Sequence, residues 1–129
     1  MKMQIGFPGG SRVEARFRDH RLLTDQPEKS GGDNAGPQPF DTFLASIGTC
    51  AGFYALHFCR KREIPTSGLG LTLEPLRDPE TKRLTRIEMR LTLPPEFPAK
   101  YEKAIVRAID QCAVKRAILD PPEIETVID

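Results

Sequence analysis

The chain has 129 residues, of which 39% are hydrophobic and 29% charged, with a formal net charge of +1. This length suits one folded domain, predicted to span residues 1–129, and the hydrophobic content argues against disorder. The near-neutral charge gives no electrostatic support for nucleic-acid binding.

The first ten residues lack the basic start and apolar stretch of a signal peptide. The charge-free run from Thr42 to Cys59 contains polar residues and glycines, so it falls short of the roughly 20 apolar residues that span a bilayer. Three cysteines without a CxxC pair indicate free thiols rather than a structural disulfide or a zinc site. We therefore expect a cytoplasmic protein with no metal, no cofactor and no membrane partner.

The N-terminal part is predicted to form an antiparallel β-meander. Val13, Ala15 and Phe17 alternate with charged residues, which is typical of a strand with one buried face. Residues 1–5 predict a short strand before it, and residues 21–24 predict a returning strand after it.

A loop rich in glycine and proline (residues 25–39) leads into a long helix. Pro39 suits a first helical turn, and Asp41 places a negative charge at the positive end of the helix dipole. The helix ends in the basic cluster of residues 60–62, before Pro65. Its faces are small or apolar nearly all round, and one copy of so short a chain offers little to cover them. This predicts a homodimer whose two copies share a core.

The remaining pattern completes an α+β fold. Alternating apolar residues predict a hairpin, two helical stretches follow it, and the C-terminal residues alternate again. The predicted elements are strands Leu69–Glu74 and Ile87–Leu93, helices Ala99–Gln111 and Ala113–Leu119, and a last strand containing Ile124, Thr126 and Ile128.

Cys50 lies about three turns into the long helix, where the helix dipole gives little help. A free cysteine is usually a small buried hydrophobic residue, so a reactive Cys50 needs a cation or several hydrogen-bond donors brought to it. Cys112 lies at the junction of the two C-terminal helices. Cys59 follows Cys50 by an offset that turns it about 180° away, which predicts a core position.

Two hydrolase mechanisms are excluded. His57 lies about 10 Å along the helix axis from Cys50, too far for a cysteine–histidine dyad, and the chain has no GxSxG elbow.

Residues 36–50 (GPQPFDTFLASIGTC), together with residues 112–118 (CAVKRAI) and 121–125 (PPEIE), resemble the two cysteine segments of the OsmC/Ohr family. The resemblance implies the OsmC-like fold and an intertwined homodimer with active sites at its interface. It also implies reduction of organic hydroperoxides, with a dithiol or a lipoylated protein as the reductant. By position, Cys50 matches the peroxidatic cysteine and Cys112 the resolving cysteine.

Two departures from the family pattern bear on the site. Phe40 stands where the family has an acidic residue, and Asp41, one step later, is predicted to take that role. The arginine that activates the thiolate in the family has no clear counterpart. The candidates for that cation are Arg16, Arg18 and Lys29, and the residues predicted to form an apolar substrate pocket are Phe40, Phe43 and Tyr54.

A different class of function is a non-catalytic dimeric module that binds a small apolar or thiol-reactive ligand or senses oxidation. A third is a purely structural module, which would bury its sulfurs in separate apolar clusters. Only the enzyme needs Cys50 and Cys112 within disulfide reach, with Cα atoms about 4.4–6.8 Å apart.

Overall fold

The computed structural model describes all residues from Met1 to Asp129. Its internal contacts divide the chain into two compact units, residues 1–43 and residues 44–129. The long helix α1 (Pro39–Lys61) starts in the first unit and continues through the second. The prediction of a single domain stays a prediction.

The first unit is the expected antiparallel β-meander. Its strands are β1 (Gln4–Gly9), β2 (Arg12–Phe17) and β3 (His20–Thr24), in the sheet order β1-β2-β3. Each strand pairs with the next along the chain.

The most deeply buried side chain of this sheet is Glu14, on the face of β2 that the sequence assigned to solvent. Its carboxylate forms ion pairs with the guanidinium groups of Arg16 and Arg21, which lie opposite each other across β2 and β3. The hydrogen bond from Arg21 is the main reason that the pKa of Glu14 lies below its usual value. The strand was predicted correctly, but ion pairing rather than apolar packing covers its buried position.

The loop between β3 and α1 is organised around Asp25, which is almost fully buried. Its carboxylate accepts hydrogen bonds from the backbone N–H groups of Gln26, Asp33 and Ala35, at 2.7, 3.1 and 2.9 Å. Gly32 packs so closely that an added Cβ would lie 2.0 Å from the carbonyl oxygen of Gln26. The glycine-rich composition therefore serves close backbone packing.

The second unit contains a hairpin and two short helices. Strands β4 (Gly70–Arg77) and β5 (Leu84–Thr92) pair antiparallel, and helices α2 (Glu102–Ile109) and α3 (Ala113–Leu119) follow. The predicted helix Ala99–Gln111 is shorter than expected because residues 99–101 form a separate 3-10 turn. In that turn the N–H of Tyr101 bonds to the carbonyl of Pro98.

One side of α1 and the inner side of α2 form the core of this unit. Cys59 lies in that core and is fully buried, as its position on the helix predicted. The other buried members of the cluster are Ala51, Ala55, Phe58, Ile64, Ile105 and Ile109.

The predicted last strand does not form. Residues 121–129 have no regular secondary structure, and Ile124 and Ile128 are almost fully exposed. A strand needs a partner for its backbone hydrogen bonds, and this segment pairs with neither sheet.

The opposite side of α1 is uncovered. Ala45, Thr49, Phe53 and His57 follow one another at helical spacing on this face and are exposed, with Phe53 60% accessible. By length and composition alone α1 could cross a membrane, contrary to the expectation from its charge-free run. The core helix of a soluble protein has the same composition, however, so this criterion is weak evidence. Within one copy of the chain, the predicted covering of α1 on all sides is not achieved.

Candidate active site

The structure brings Cys50 and Cys112 together. Cys50 is half-buried on α1 and Cys112 is buried at the residue that precedes α3. Their side chains are hydrogen-bonded to each other. Two cysteines 62 positions apart in the sequence thus meet within the second unit.

The junction between α2 and α3 positions Cys112. The N–H groups of Gln111 and Cys112 bond back to the carbonyls of Ala108 and Ile109, which closes the end of α2. Cys112 then adopts an extended conformation, with φ −49° and ψ 126°, and α3 starts at the next residue. The sharp change of direction leaves the first N–H groups of α3 without partners inside their own helix.

Two of these N–H groups, from Ala113 and Val114, donate hydrogen bonds to the sulfur of Cys50. The thiol of Cys112 is a third donor. A half-buried sulfur that accepts three hydrogen bonds is a favourable place for a thiolate, since hydrogen bonds to the charged form stabilise it.

The two thiols have opposite proton affinities. Burial raises the pKa of Cys50, but the hydrogen bonds from Cys112, Val114 and Ala113 outweigh burial and leave this pKa below its ordinary value. Burial is the main cause that raises the pKa of Cys112, and its hydrogen bond with Cys50 raises it further. Cys50 is therefore the member of the pair that loses its proton more readily. Since the thiolate is the nucleophilic form of cysteine, Cys50 is the better candidate for a nucleophile in this pair.

The donors to Cys50 are neutral groups rather than the cation that the sequence suggested. Of the candidates in the first unit, Arg16 is ion-paired with Glu14, Arg18 lies in the turn after β2 with φ 51°, and Lys29 lies in a 3-10 turn. None of them contributes to the lowered pKa of Cys50. The sequence predicted that Cys50 needs a cation or hydrogen-bond donors, but it did not identify the backbone N–H groups of Ala113 and Val114 as those donors. The only signal was the position of Cys112 directly before a predicted helix.

The other predicted site residues are distributed along α1. Phe40 and Phe43 lie near its start, with ring centroids 5.4 Å apart, and Asp41 is exposed in its first turn. Tyr54 lies one turn beyond Cys50, with its ring edge-on to Phe53 at 5.8 Å. The catalytic role of Asp41 and the substrate-binding roles of the three aromatic residues stay predictions.

The remaining thiol and the nearby imidazole stand apart from this pair. Burial raises the pKa of Cys59 in the core. His57 is exposed and stacks on the ring of Phe53, with centroids 6.0 Å apart. Neither arrangement provides a second nucleophile.

A family model described as "OsmC-like protein" matches residues 31–127, a range that contains α1, the hairpin and both C-terminal helices. The chain belongs to the OsmC-like family. Both members of the thiol pair lie within the matched range.

Solved structures of OsmC-like proteins share the fold. An osmotic stress induced and detoxification response protein from Psychrobacter arcticus superposes with a TM-score of 0.75 at 18% identity, covering 91% of this chain and 87% of that one. An organic hydroperoxide resistance protein OsmC from Legionella pneumophila gives a TM-score of 0.54 at 17% identity, with coverage of 92% and 89%. The organic hydroperoxide resistance protein OhrB of Bacillus subtilis gives 0.51 at 16% identity, with coverage of 91% and 90%. No curated protein matches this chain.

Proposed function

We propose that this OsmC-like protein is a thiol-dependent peroxidase that reduces organic hydroperoxides through Cys50 and Cys112. The observation that carries the proposal is the unequal thiol pair, in which hydrogen bonds lower the pKa of the accessible Cys50 while burial raises that of Cys112. Similar folds in two proteins named for organic hydroperoxide resistance support the same substrate class. A purely structural module would bury the two sulfurs in separate clusters, which is inconsistent with the hydrogen bond between Cys50 and Cys112.

In the first step the Cys50 thiolate attacks the outer oxygen of the hydroperoxide, the O–O bond breaks and an alkoxide leaves. The proton of Cys112 converts the alkoxide to an alcohol, and Cys50 becomes a sulfenic acid. The transfer leaves Cys112 as a thiolate next to an electrophilic sulfur.

In the second step Cys112 attacks the sulfur of Cys50, a disulfide forms, and the released hydroxide takes a proton from solvent to become water. An external dithiol, free or carried by a lipoylated protein, then reduces the disulfide and is itself oxidised. This order protects Cys50 from irreversible over-oxidation. A dithiol reductant fits a reducing compartment, and we place the protein in the cytoplasm.

The active form is proposed to be an intertwined homodimer. The exposed apolar face of α1 around Phe53 supports this assembly, because such a face on a core helix is stabilised when a second copy covers it. In this proposal Phe40, Phe43 and Tyr54 bind the organic part of the peroxide and Asp41 is the acidic residue of the site.

The test is the number of free thiols after one equivalent of cumene hydroperoxide. The wild type is expected to lose two thiols, Cys50→Ser none and Cys112→Ser only the thiol of Cys50. Cys59→Ser is the matched control and should still lose two, since Cys59 is sealed in the core. If the number of free thiols in the wild type does not change, the function is better described as that of a non-catalytic ligand-binding module.

A further inference from the structure

An open cleft of about 420 Å³ lies between the second half of α1 and α2. Its apolar lining residues, referred to below as its floor, are Tyr54, Phe58, Ala104 and Ala108. Of these residues only Tyr54 has a role in the proposed peroxidase reaction, as one of the residues that bind the peroxide. His57 also lines the cleft and stacks on Phe53, so the cleft borders the exposed face of α1.

The rim of the cleft is cationic. Lys61 and Arg107 both line it, and neither forms an ion pair with any carboxylate of the chain. Arg62 contributes further positive charge but is held in place, with its guanidinium 3.6 Å above the ring of Phe58. No acidic side chain lines the cleft. Two unpaired cations beside an apolar floor complement a molecule with a negative head and an apolar body.

We propose that this cleft binds a small amphipathic organic anion of the medium-chain carboxylate class. The carboxylate lies between Lys61 and Arg107, and the alkyl chain lies along Ala104 and Ala108 toward Tyr54. Tyr54 and Lys61 are seven residues apart on α1, about 10 Å along the axis, which gives room for a short alkyl chain. The volume falls within the range of small-molecule sites. The carboxylate site shares Tyr54 with the proposed peroxide pocket, but Lys61 and Arg107 have no role in the proposed peroxidase reaction.

The first experiment compares octanoate, octanol and octylammonium as ligands of the reduced wild-type protein, without peroxide, by isothermal titration calorimetry. Tyrosine emission gives a second signal, because the chain has two tyrosines and no tryptophan and one of them forms the floor. Octanoate is expected to bind saturably, octanol more weakly and octylammonium weakest. Added salt should weaken octanoate binding and leave octanol binding unchanged.

The decisive variant is Lys61→Gln/Arg107→Gln, which keeps the floor and removes the unpaired charges. We expect octanoate to bind about tenfold more weakly, as fits the loss of two exposed charge contacts, with no change for octanol. Lys2→Gln/Arg83→Gln lowers the net charge equally at exposed positions outside the cleft and should bind octanoate like the wild type. Equal affinity for octanoate and octanol, equal weakening in both variants, or no saturable binding would each overturn the proposal.

Discussion

The thiol of Cys112 donates a hydrogen bond to the sulfur of Cys50, which lowers the pKa of Cys50 and raises that of Cys112. The residue that donates this hydrogen bond is buried and the residue that accepts it is accessible. In the proposed reaction, the same hydrogen bond stabilises the nucleophile Cys50 and holds the resolving thiol of Cys112 beside it.

Removing the donor of Cys112 should raise the pKa of Cys50. A hydrogen bond to the thiolate favours the charged form, so Cys112→Ala is expected to move the alkylation of Cys50 by iodoacetamide to higher pH. Cys112→Ser retains a hydroxyl donor and should produce a smaller change. The measurement is the rate of Cys50 alkylation as a function of pH, followed by mass spectrometry. Identical profiles in the wild type and Cys112→Ala would contradict the hydrogen bond.

Removing one backbone donor should have a similar effect. Ala113→Pro deletes the N–H that points at Cys50, at the first residue of α3, where proline is well tolerated. The ψ of Cys112, 126°, already lies in the range that a residue before proline prefers. We expect an intact fold and a reaction with cumene hydroperoxide at neutral pH that is slower by about threefold to tenfold, the scale of one hydrogen bond.

Stopped-flow kinetics of the single-turnover reaction measure this rate, and circular dichroism verifies the fold. Ala113→Ser is the matched control, because it changes the side chain and retains the N–H. A folded Ala113→Pro variant that reacts at the wild-type rate would show that this donor is unimportant.

The carboxylate of Asp25 should make stability depend on pH. The N–H of Ala35 is the main cause that lowers the pKa of Asp25, with further hydrogen bonds from Gln26 and Asp33. The folded state therefore binds this proton more weakly than the unfolded chain. The resulting stability is fully present above the ordinary aspartate pKa and is lost as pH falls through the lowered pKa of the folded state.

Asp25→Asn should accordingly be less stable than the wild type at pH 7, and the difference should shrink as pH falls below about 4. Urea unfolding at a series of pH values measures this difference in the free energy of unfolding. Asp120→Asn, an exposed position, is the control and should follow the wild type. A difference between Asp25→Asn and the wild type that is constant with pH would assign the effect to packing rather than to charge.

The exposed face of α1 should control assembly. Phe53→Glu places a charge at the centre of that face, and burying an unpaired charge between two copies is strongly unfavourable. Sedimentation velocity is expected to give a dimer for the wild type and a monomer for this variant. Val106→Glu, at an exposed position of α2, should remain a dimer. A monomeric wild type at micromolar concentration would refute the proposed homodimer.

Local signals in the sequence were sufficient for α1 and α3, whereas α2 was predicted too long. Proline and an acidic residue marked the start of α1, and α3 spans the predicted residues because its limits are set by neighbouring residues. The prediction of a last strand was wrong because alternation of apolar and polar residues does not supply the neighbouring strand that residues 121–129 would need. The buried Glu14 was missed because its burial depends on Arg21, on another strand.

The site divides in the same way. The identity of the two cysteines was available from the sequence, since they stand in segments that resemble a known family. The groups that lower the pKa of Cys50 could not be predicted from the sequence, because every residue except proline has a backbone N–H. Only the path of the chain after Cys112 brings the amides of Ala113 and Val114 to that sulfur.

That path has a consequence for how the protein tolerates change. Because two of the three donors belong to the main chain, most side-chain replacements at positions 113 and 114 leave them in place. A single-residue insertion before Cys112 would alter no existing side chain, yet it would displace the start of α3 and with it both amides. The reactivity of Cys50 therefore depends on the length of the α2–α3 junction more than on its composition.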